Sequence, residues 1–163
     1  MCKLTILSNR KLWAFLFYIY IILVTAFVVI KVYSLRDMFS TIQIISMNRE
    51  SGYWNINLVP FRTLNRYIPN IYEKYVYLSI LGKTVAFIPL GFLIPMAFPV
   101  FRNFLKATVL IFTVIIGKEI FKLFSMLGYF DIDTIILNIV SSIFGYLLYY
   151  ILYRFLDISS YKQ

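Results

Sequence analysis

Long runs of apolar residues limit the folds that this chain can adopt. Residues 13–30 include 18 consecutive residues without a charge, and Arg10, Lys11 and Lys31 flank them. This length is close to the roughly 20 residues that a helix needs to cross the hydrocarbon core of a bilayer. No small-x-small cleavage site follows the run, so it predicts an uncleaved first span rather than a signal peptide.

Three further apolar runs predict three further spans. The four predicted spans lie at about residues 12–32, 78–99, 105–127 and 134–153. The second is expected to be kinked, because it contains two prolines, Pro89 and Pro95, which neighbouring helices can accommodate within a membrane. The predicted fold class is therefore all-α, a polytopic membrane protein with four transmembrane helices that form one domain over residues 1–163.

Composition supports this prediction. Hydrophobic residues make up 61% of the chain and charged residues only 14%, whereas soluble domains have about 45–50% and about 25%. Residues 34–77 are more polar and contain Gly52, Pro60 and Pro69, which interrupt regular structure. We therefore predict a short extracytoplasmic loop there, with an interfacial helix at about residues 34–47 on the membrane surface.

The positions of the cations predict the orientation. Lysine and arginine recur in the N-terminal segment, in the turn that contains Arg102 and Lys106, and in the tail after Arg154. With four spans these three segments share one side, which the positive-inside rule assigns to the cytoplasm. We expect a multi-pass protein of the bacterial cytoplasmic membrane with both termini cytoplasmic, and an acidic turn with Asp131 and Asp133 on the outer side.

Ionisable side chains within spans cost several kcal/mol to insert and therefore usually have a partner or a function. In the predicted topology these groups converge on the outer end. The candidate polar cluster consists of Arg62, Lys83, Lys118, Glu119, Lys122, Asp131, Asp133 and Asn138. It has two interpretations: ion pairs that hold the helices together, or a net-positive pocket for an anionic ligand such as a lipid phosphate or a peptide carboxylate.

The spacing of these residues predicts specific contacts. Glu119 and Lys122 are three residues apart and can pair on one helix face. Arg62 in the outer loop is expected to bind Asp131 and Asp133, closing the loop over the bundle. Small and polar residues recur at helical spacing on the fourth span, which predicts a close helix-packing face. They are Thr134, Asn138, Ser141, Ser142 and Gly145.

Several chemistries find no support in the sequence. The chain has no histidine and a single cysteine, Cys2, so we predict no metal site and no cofactor. The net charge of +9 comes from scattered cations, which favours membrane lipids over nucleic acid as partner. No nucleophile motif is present, so no residue is assigned a catalytic role.

Four segments together resemble a known family. They are residues 57–63 (NLVPFRT), residues 82–92 (GKTVAFIPLGF), Glu119, and residues 130–133 (FDID) followed by Asn138 and Gly145. In this order and spacing the chain resembles the VanZ-like family over about residues 55–150. The resemblance implies a small bacterial membrane protein, and the founding member of the family is associated with low-level teicoplanin resistance.

The chain departs from the family pattern at four positions. Lys83 stands where an asparagine is usual, Lys122 where a glutamine is usual, Thr134 where a second aspartate is usual, and Ser141 where a glycine is usual. Two amides are thus replaced by cations and one acid is lost. The resemblance implies a shared fold more firmly than a shared ligand.

The leading hypothesis is a non-enzymatic envelope protein that binds a cell-wall precursor, a lipid or a glycopeptide at the outer polar site and modulates teicoplanin-type susceptibility. One alternative is a membrane enzyme that acts on a lipid-linked cell-wall precursor, with Glu119, Asp131 and Asp133 as acid–base groups. Another is an assembly partner of a second membrane protein. The sequence leaves the oligomeric state open.

Overall fold

The computed structural model describes residues 9–26, 35–67, 82 and 84–160. Their regular structure is helical apart from two strands of two residues each, which confirms the predicted all-α class. The helices are α1 (Arg10–Val24), α2 (Leu35–Glu50), α3 (Arg62–Tyr67), α4 (Ile88–Ala97), α5 (Phe104–Ser125) and α6 (Ile132–Ser160). The strands are β1 (Ile56–Asn57) and β2 (Phe130–Asp131), and a 3₁₀ turn, Pro99–Arg102, links α4 to α5.

Local sequence explains where the helices begin and end. Asn103 caps α5, because its side-chain oxygen accepts from the backbone nitrogens of Leu105 (3.0 Å) and Lys106 (3.3 Å). The same helix ends at Met126, whose φ of 56° is left-handed. Pro89 lies in the first turn of α4, where a backbone N–H would have no partner within the helix. Of the two prolines, only Pro95 therefore lies in the interior of the helix.

The closest helix contact joins α4 to α6 and depends on two glycines. A Cβ atom at Gly91 would overlap the carbonyl oxygen of Ser142, and a Cβ atom at Gly145 would overlap the carbonyl oxygen of Ile88. The hydroxyl of Ser142 also donates to the carbonyl oxygen of Phe87 at 3.1 Å. The predicted small-residue face of the fourth span therefore lies against the backbone of α4.

The core lies where α1, α4, α5 and α6 meet. Its fully buried members are apolar and come from the last three of these helices, while α1 contributes half-buried residues that pack against them. The buried members are Phe87, Leu90, Ile94, Ile111, Ile115 and Ile135. One further bond fixes α1, because the hydroxyl of Tyr20 donates to the carbonyl oxygen of Ala86 at 2.6 Å.

Two distinct ends result from this packing. At one end, Trp13 packs edge-on against Phe92. The Arg102 guanidinium lies 5.2 Å from the ring centre of Tyr153. The backbone carbonyl oxygen of Arg102 accepts a hydrogen bond from the Tyr146 hydroxyl at 2.6 Å. We call this the basic end. The opposite end, which we call the polar end, comprises residues 55–63, residues 118–128 and the start of α6.

One helix in the part of the chain that the structure describes, Ile132–Phe155, is long and apolar enough to cross a membrane. The segment Ile88–Ala97 is apolar but shorter. Helix α5 has 22 residues but carries Lys106, Lys118, Glu119 and Lys122, and α1 is described for 15 residues. The predicted first and second spans extend into residues 27–34 and 68–81, which lie outside the described residues.

Candidate functional site

A short parallel strand pair brings the loop after α2 to the start of α6. Ile56 pairs with Phe130, and Asn57 pairs with Asp131. The backbone nitrogen of Phe130 also donates to the carbonyl oxygen of Asn55 at 2.9 Å. This pairing holds residues 55–57 beside the two aspartates that open α6, so loop and helix form one polar assembly.

Asp133 holds the next part of the loop through its backbone. Its two carboxylate oxygens accept from the backbone nitrogens of Phe61 (2.6 Å) and Thr63 (2.8 Å). Phe61 is left-handed, with φ of 63°, a conformation that is costly for a residue with a side chain. Asp133 is buried, so these two amides give its charge the hydrogen bonds that burial demands.

Asp131 binds side chains of the same loop. Its oxygens accept from the Asn57 amide (3.0 Å) and the Thr63 hydroxyl (2.8 Å). They also accept from the Thr134 hydroxyl (3.3 Å) and the Asp133 backbone nitrogen (3.1 Å), so Asp131 caps the first turn of α6. The two aspartates therefore tie residues 57–63 to the bundle through backbone and side-chain donors of the loop.

Glu119 lies behind these aspartates and is fully buried. One of its oxygens lies 2.7 Å from the Lys118 ammonium, and the other lies 2.7 Å from the Lys122 ammonium. The second oxygen also accepts from the Asp131 backbone nitrogen at 3.3 Å. The pair predicted from the spacing of Glu119 and Lys122 is thus present, and two ammonium groups share one carboxylate. We call these three residues the lysine–glutamate triad.

The remaining predicted site residues lie in different settings. The Arg62 side chain is exposed at the start of α3. Asp131 and Asp133 accept hydrogen bonds from amides and hydroxyls of the loop and of α6, and the predicted contact with the Arg62 guanidinium is not among them. Asn138 is buried on α6, and neither of its amide atoms has a hydrogen-bond partner among the described residues. Lys83 lies outside the described residues. The structure thus brings together Lys118, Glu119, Lys122, Asp131 and Asp133.

A second attachment of the loop was not predicted from the sequence. The Arg49 guanidinium donates to the Asn55 side-chain oxygen through Nε (3.0 Å) and Nη2 (2.6 Å), and Nη2 also donates to the Leu123 carbonyl oxygen at 2.6 Å. Asn55 is buried and donates to the Gly128 carbonyl oxygen at 2.6 Å. Arg49 thereby binds near the C-terminus of α5, where the helix dipole favours a cation.

The chemistry of this assembly favours fixed geometry and charge over ligand exchange at the aspartates. Their oxygens already accept bonds from the loop and from α6. Across the described residues, no group of three or more histidine, cysteine, aspartate or glutamate side chains is arranged to hold a metal ion. The triad differs, because two ammonium groups share one buried carboxylate.

Comparison with known proteins identifies a family. The family model described as VanZ/LLP1 matches residues 17–153, which is most of the chain. Neither a curated protein nor a solved structure matches. The matched region includes the second half of α1, the whole polar end and most of α6.

Proposed function

The chain belongs to the VanZ/LLP1 family, and from this premise we propose that it is a membrane protein of the bacterial cell envelope that crosses the bilayer four times. The exposed surface of the described helices supports this topology. Large apolar side chains are exposed on several helices, and the sequence supplies four apolar runs. Examples are Phe15, Ile22, Val109, Phe112, Phe144 and Ile151. Soluble monomers rarely expose contiguous apolar patches beyond about 300–600 Å², whereas lipid covers such surfaces.

We propose that the polar end faces outward. Arg10, Lys11 and Arg102 belong to segments that meet at the basic end, and Arg154 follows Tyr153 there. Short basic segments are retained in the cytoplasm. The cytoplasmic placement of the basic end would put Asp131 and Asp133 at the outer surface, with both termini inside.

At the outer surface, the protein would bind an anionic ligand of the envelope and thereby modulate susceptibility to teicoplanin-type glycopeptides. The observation that carries this proposal is the lysine–glutamate triad, in which two ammonium groups share the buried Glu119 carboxylate. A phosphate or carboxylate beside the triad would accept charge-assisted hydrogen bonds from a lysine of the triad. The aspartates hold residues 57–63 in place beside the triad. We do not expect them to act as acid–base groups.

The test is expression of the full chain in a glycopeptide-sensitive Gram-positive host, with teicoplanin susceptibility measured against the empty vector. We expect reduced susceptibility for the wild type and loss of the effect for the double substitution Lys118→Gln/Lys122→Gln. The matched control is Lys106→Gln, which removes a lysine from the opposite end of α5. An unchanged susceptibility, despite membrane insertion shown by fractionation, would contradict the proposed function.

A further inference from the structure

Residues 53–61 have their polar side chains turned inward and their apolar side chains turned outward. Asn55 is 2% exposed and Asn57 is half-buried, whereas Tyr53 is 73% exposed and Trp54 is 63% exposed. In a loop that faces water the polar side chains are usually the exposed ones. The other exposed members of the segment are Ile56, Leu58, Val59, Pro60 and Phe61.

Hydrogen bonds to the bundle enforce this reversal. The Asn57 amide donates to the Asp131 carboxylate at 3.0 Å, and the Asn55 amide donates to the Gly128 carbonyl oxygen at 2.6 Å. Successive side chains of an extended strand point to opposite faces, so the inward asparagines turn their apolar neighbours outward. The exposed apolar surface is therefore fixed by the fold, and an apolar environment is the one that suits it.

The strand pair sets the depth of this surface. Strand β1 pairs with β2, and β2 directly precedes Ile132–Phe155, the helix that is long and apolar enough to cross a membrane. At 1.5 Å per residue, the 24 residues of this helix extend over about 36 Å, slightly more than the roughly 30 Å of a hydrocarbon core. In the proposed topology, residues 53–61 would thus lie beside the outer boundary of the hydrocarbon.

The charges around the segment suit lipid headgroups. Residues 51–63 contain no acidic residue, and their one charged residue, Arg62, is exposed. The Arg49 guanidinium also lies 4.9 Å from the ring centre of Trp54. Tryptophan and tyrosine are enriched at membrane–water interfaces, and cations near the surface are attracted to anionic lipids.

We propose that residues 53–61 are an interfacial anchor, which inserts its exposed apolar side chains into the outer leaflet where headgroups meet acyl chains. The inference goes beyond the proposed function and rests on its membrane placement. Apolar faces of interfacial segments enter the membrane by about 5–10 Å. Because Asp131 and Asp133 tie this loop to α6, the anchor would hold the polar end at a fixed depth.

The chain has two tryptophans, Trp13 and Trp54, so fluorescence can report on each separately. Trp13→Phe leaves Trp54 as the reporter of the anchor, and Trp54→Phe leaves Trp13 as the reporter of the first predicted span. Each full-length protein is reconstituted into vesicles of phosphatidylcholine and phosphatidylglycerol, with bromine near the headgroup end or the methyl end of the acyl chains. We expect Trp54 to lose more emission to bromine near the headgroup end, and to lose little to acrylamide in the water.

A charge in the anchor should withdraw it from the lipid. In the Trp13→Phe background, Leu58→Asp places a carboxylate at an exposed apolar position, and charged groups are costly to insert. Quenching of Trp54 by brominated lipid should fall and quenching by acrylamide should rise. The control is Asn65→Asp, which adds a charge at an exposed position of α3 and should change neither. Thermal unfolding checks that each variant is folded, and Leu58→Ser replaces Leu58→Asp if that variant does not fold.

Several outcomes would overturn the anchor. One is lipid quenching of Trp13 alone, with Trp54 open to acrylamide, and this result would leave the membrane placement intact. Protection of Trp54 from both quenchers would indicate a protein contact in place of lipid. Unchanged quenching in Leu58→Asp, or an equal loss in Asn65→Asp, would also contradict it.

The experiment separates the anchor from the proposed function. Bromine is present in both leaflets, so the result does not depend on the direction in which the protein inserts. Absence of lipid quenching at both tryptophans would contradict the membrane placement, and with it both proposals. Lipid quenching of Trp54 in a protein that leaves teicoplanin susceptibility unchanged would support the anchor and contradict the proposed function alone.

Discussion

The carboxylate of Asp133 accepts a hydrogen bond from the backbone nitrogen of Phe61 at 2.6 Å, across 72 positions of sequence. Phe61 has a φ of 63°, and 58% of its surface is exposed. Its own burial therefore contributes little to holding a strained backbone. The side chains of the loop do not fix its conformation by themselves. The buried carboxylate of Asp133 on α6 fixes it.

Asp133→Ala is expected to loosen this loop. Two backbone amides lose their acceptor, and an unsatisfied buried donor costs about 1–3 kcal/mol, so we expect the free energy of unfolding to fall by about 2–3 kcal/mol. Limited proteolysis should show faster cleavage within residues 51–63. The control is Glu50→Ala, which removes an exposed carboxylate nearby; equal cleavage of the two variants would contradict the account.

The lysine–glutamate triad predicts unequal costs for its members. Glu119→Gln leaves two ammonium groups without their shared carboxylate, and breaking a buried pair costs about 3–5 kcal/mol. Lys122→Met should cost less, because Glu119 keeps its contact with Lys118. Thermal unfolding in detergent measures the difference, and a larger loss for Lys122→Met than for Glu119→Gln would contradict this arrangement.

The Glu119→Gln substitution also distinguishes a ligand-binding protein from an enzyme. The leading proposal gives Glu119 an electrostatic role, so the substitution should change ligand affinity and stability together. A variant that stays fully stable and keeps binding a lipid-linked precursor but no longer converts it would instead favour a membrane enzyme. The measurement is precursor turnover in membranes that contain equal amounts of wild-type and variant protein.

The α4–α6 contact predicts that Gly91→Ala and Gly145→Ala are strongly destabilising. Each added methyl group would overlap a carbonyl oxygen of the facing helix, which forces the two helices apart and costs about 1–3 kcal/mol or more. The control is Gly117→Ala, where the added methyl group would have no other atom within 4 Å. Equal stability of all three variants would contradict the close approach of α4 and α6 at these two glycines.

Arg49→Lys is expected to weaken the second attachment of the loop. A lysine retains the charge but loses the planar fork that binds Asn55 and the Leu123 carbonyl oxygen together. We expect a loss of about 1.5–3 kcal/mol, the range for hydrogen bonds to charged groups. Arg154→Lys at an exposed position serves as the control in the same unfolding measurement, and a loss there as large as for Arg49→Lys would contradict the prediction.

Much of the helical architecture could be predicted, because apolar runs are visible in a sequence. The predicted third span, about 105–127, coincides with nearly all of α5, and the predicted fourth span, about 134–153, lies within the longer α6. The sequence also indicated that Glu119, Asp131 and Asp133 would share one end, because neighbouring spans joined by a short turn must place them there. Their convergence follows from topology alone.

The attachments of the loop could not be predicted in the same way. We predicted that Arg62 would bind the aspartates, because opposite charges are visible in a sequence. The structure uses the backbone nitrogens of Phe61 and Thr63, and every residue except proline carries such a donor. These nitrogens flank a left-handed residue, Phe61, and a phenylalanine does not predict that conformation. Arg49 and Asn55 escaped prediction because they donate to the backbone carbonyl oxygens of Leu123 and Gly128, which are distant in sequence.

In the proposed topology the polar end and the basic end lie on opposite sides of a membrane. Its most direct test is labelling of single cysteines in intact cells with a membrane-impermeant maleimide, after Cys2→Ala removes the one native cysteine. Tyr129→Cys reports the polar end and Val100→Cys the basic end, both at exposed positions. We predict that Tyr129→Cys is labelled in intact cells and Val100→Cys only after permeabilisation. Labelling of both in intact cells, or of neither, would contradict the account.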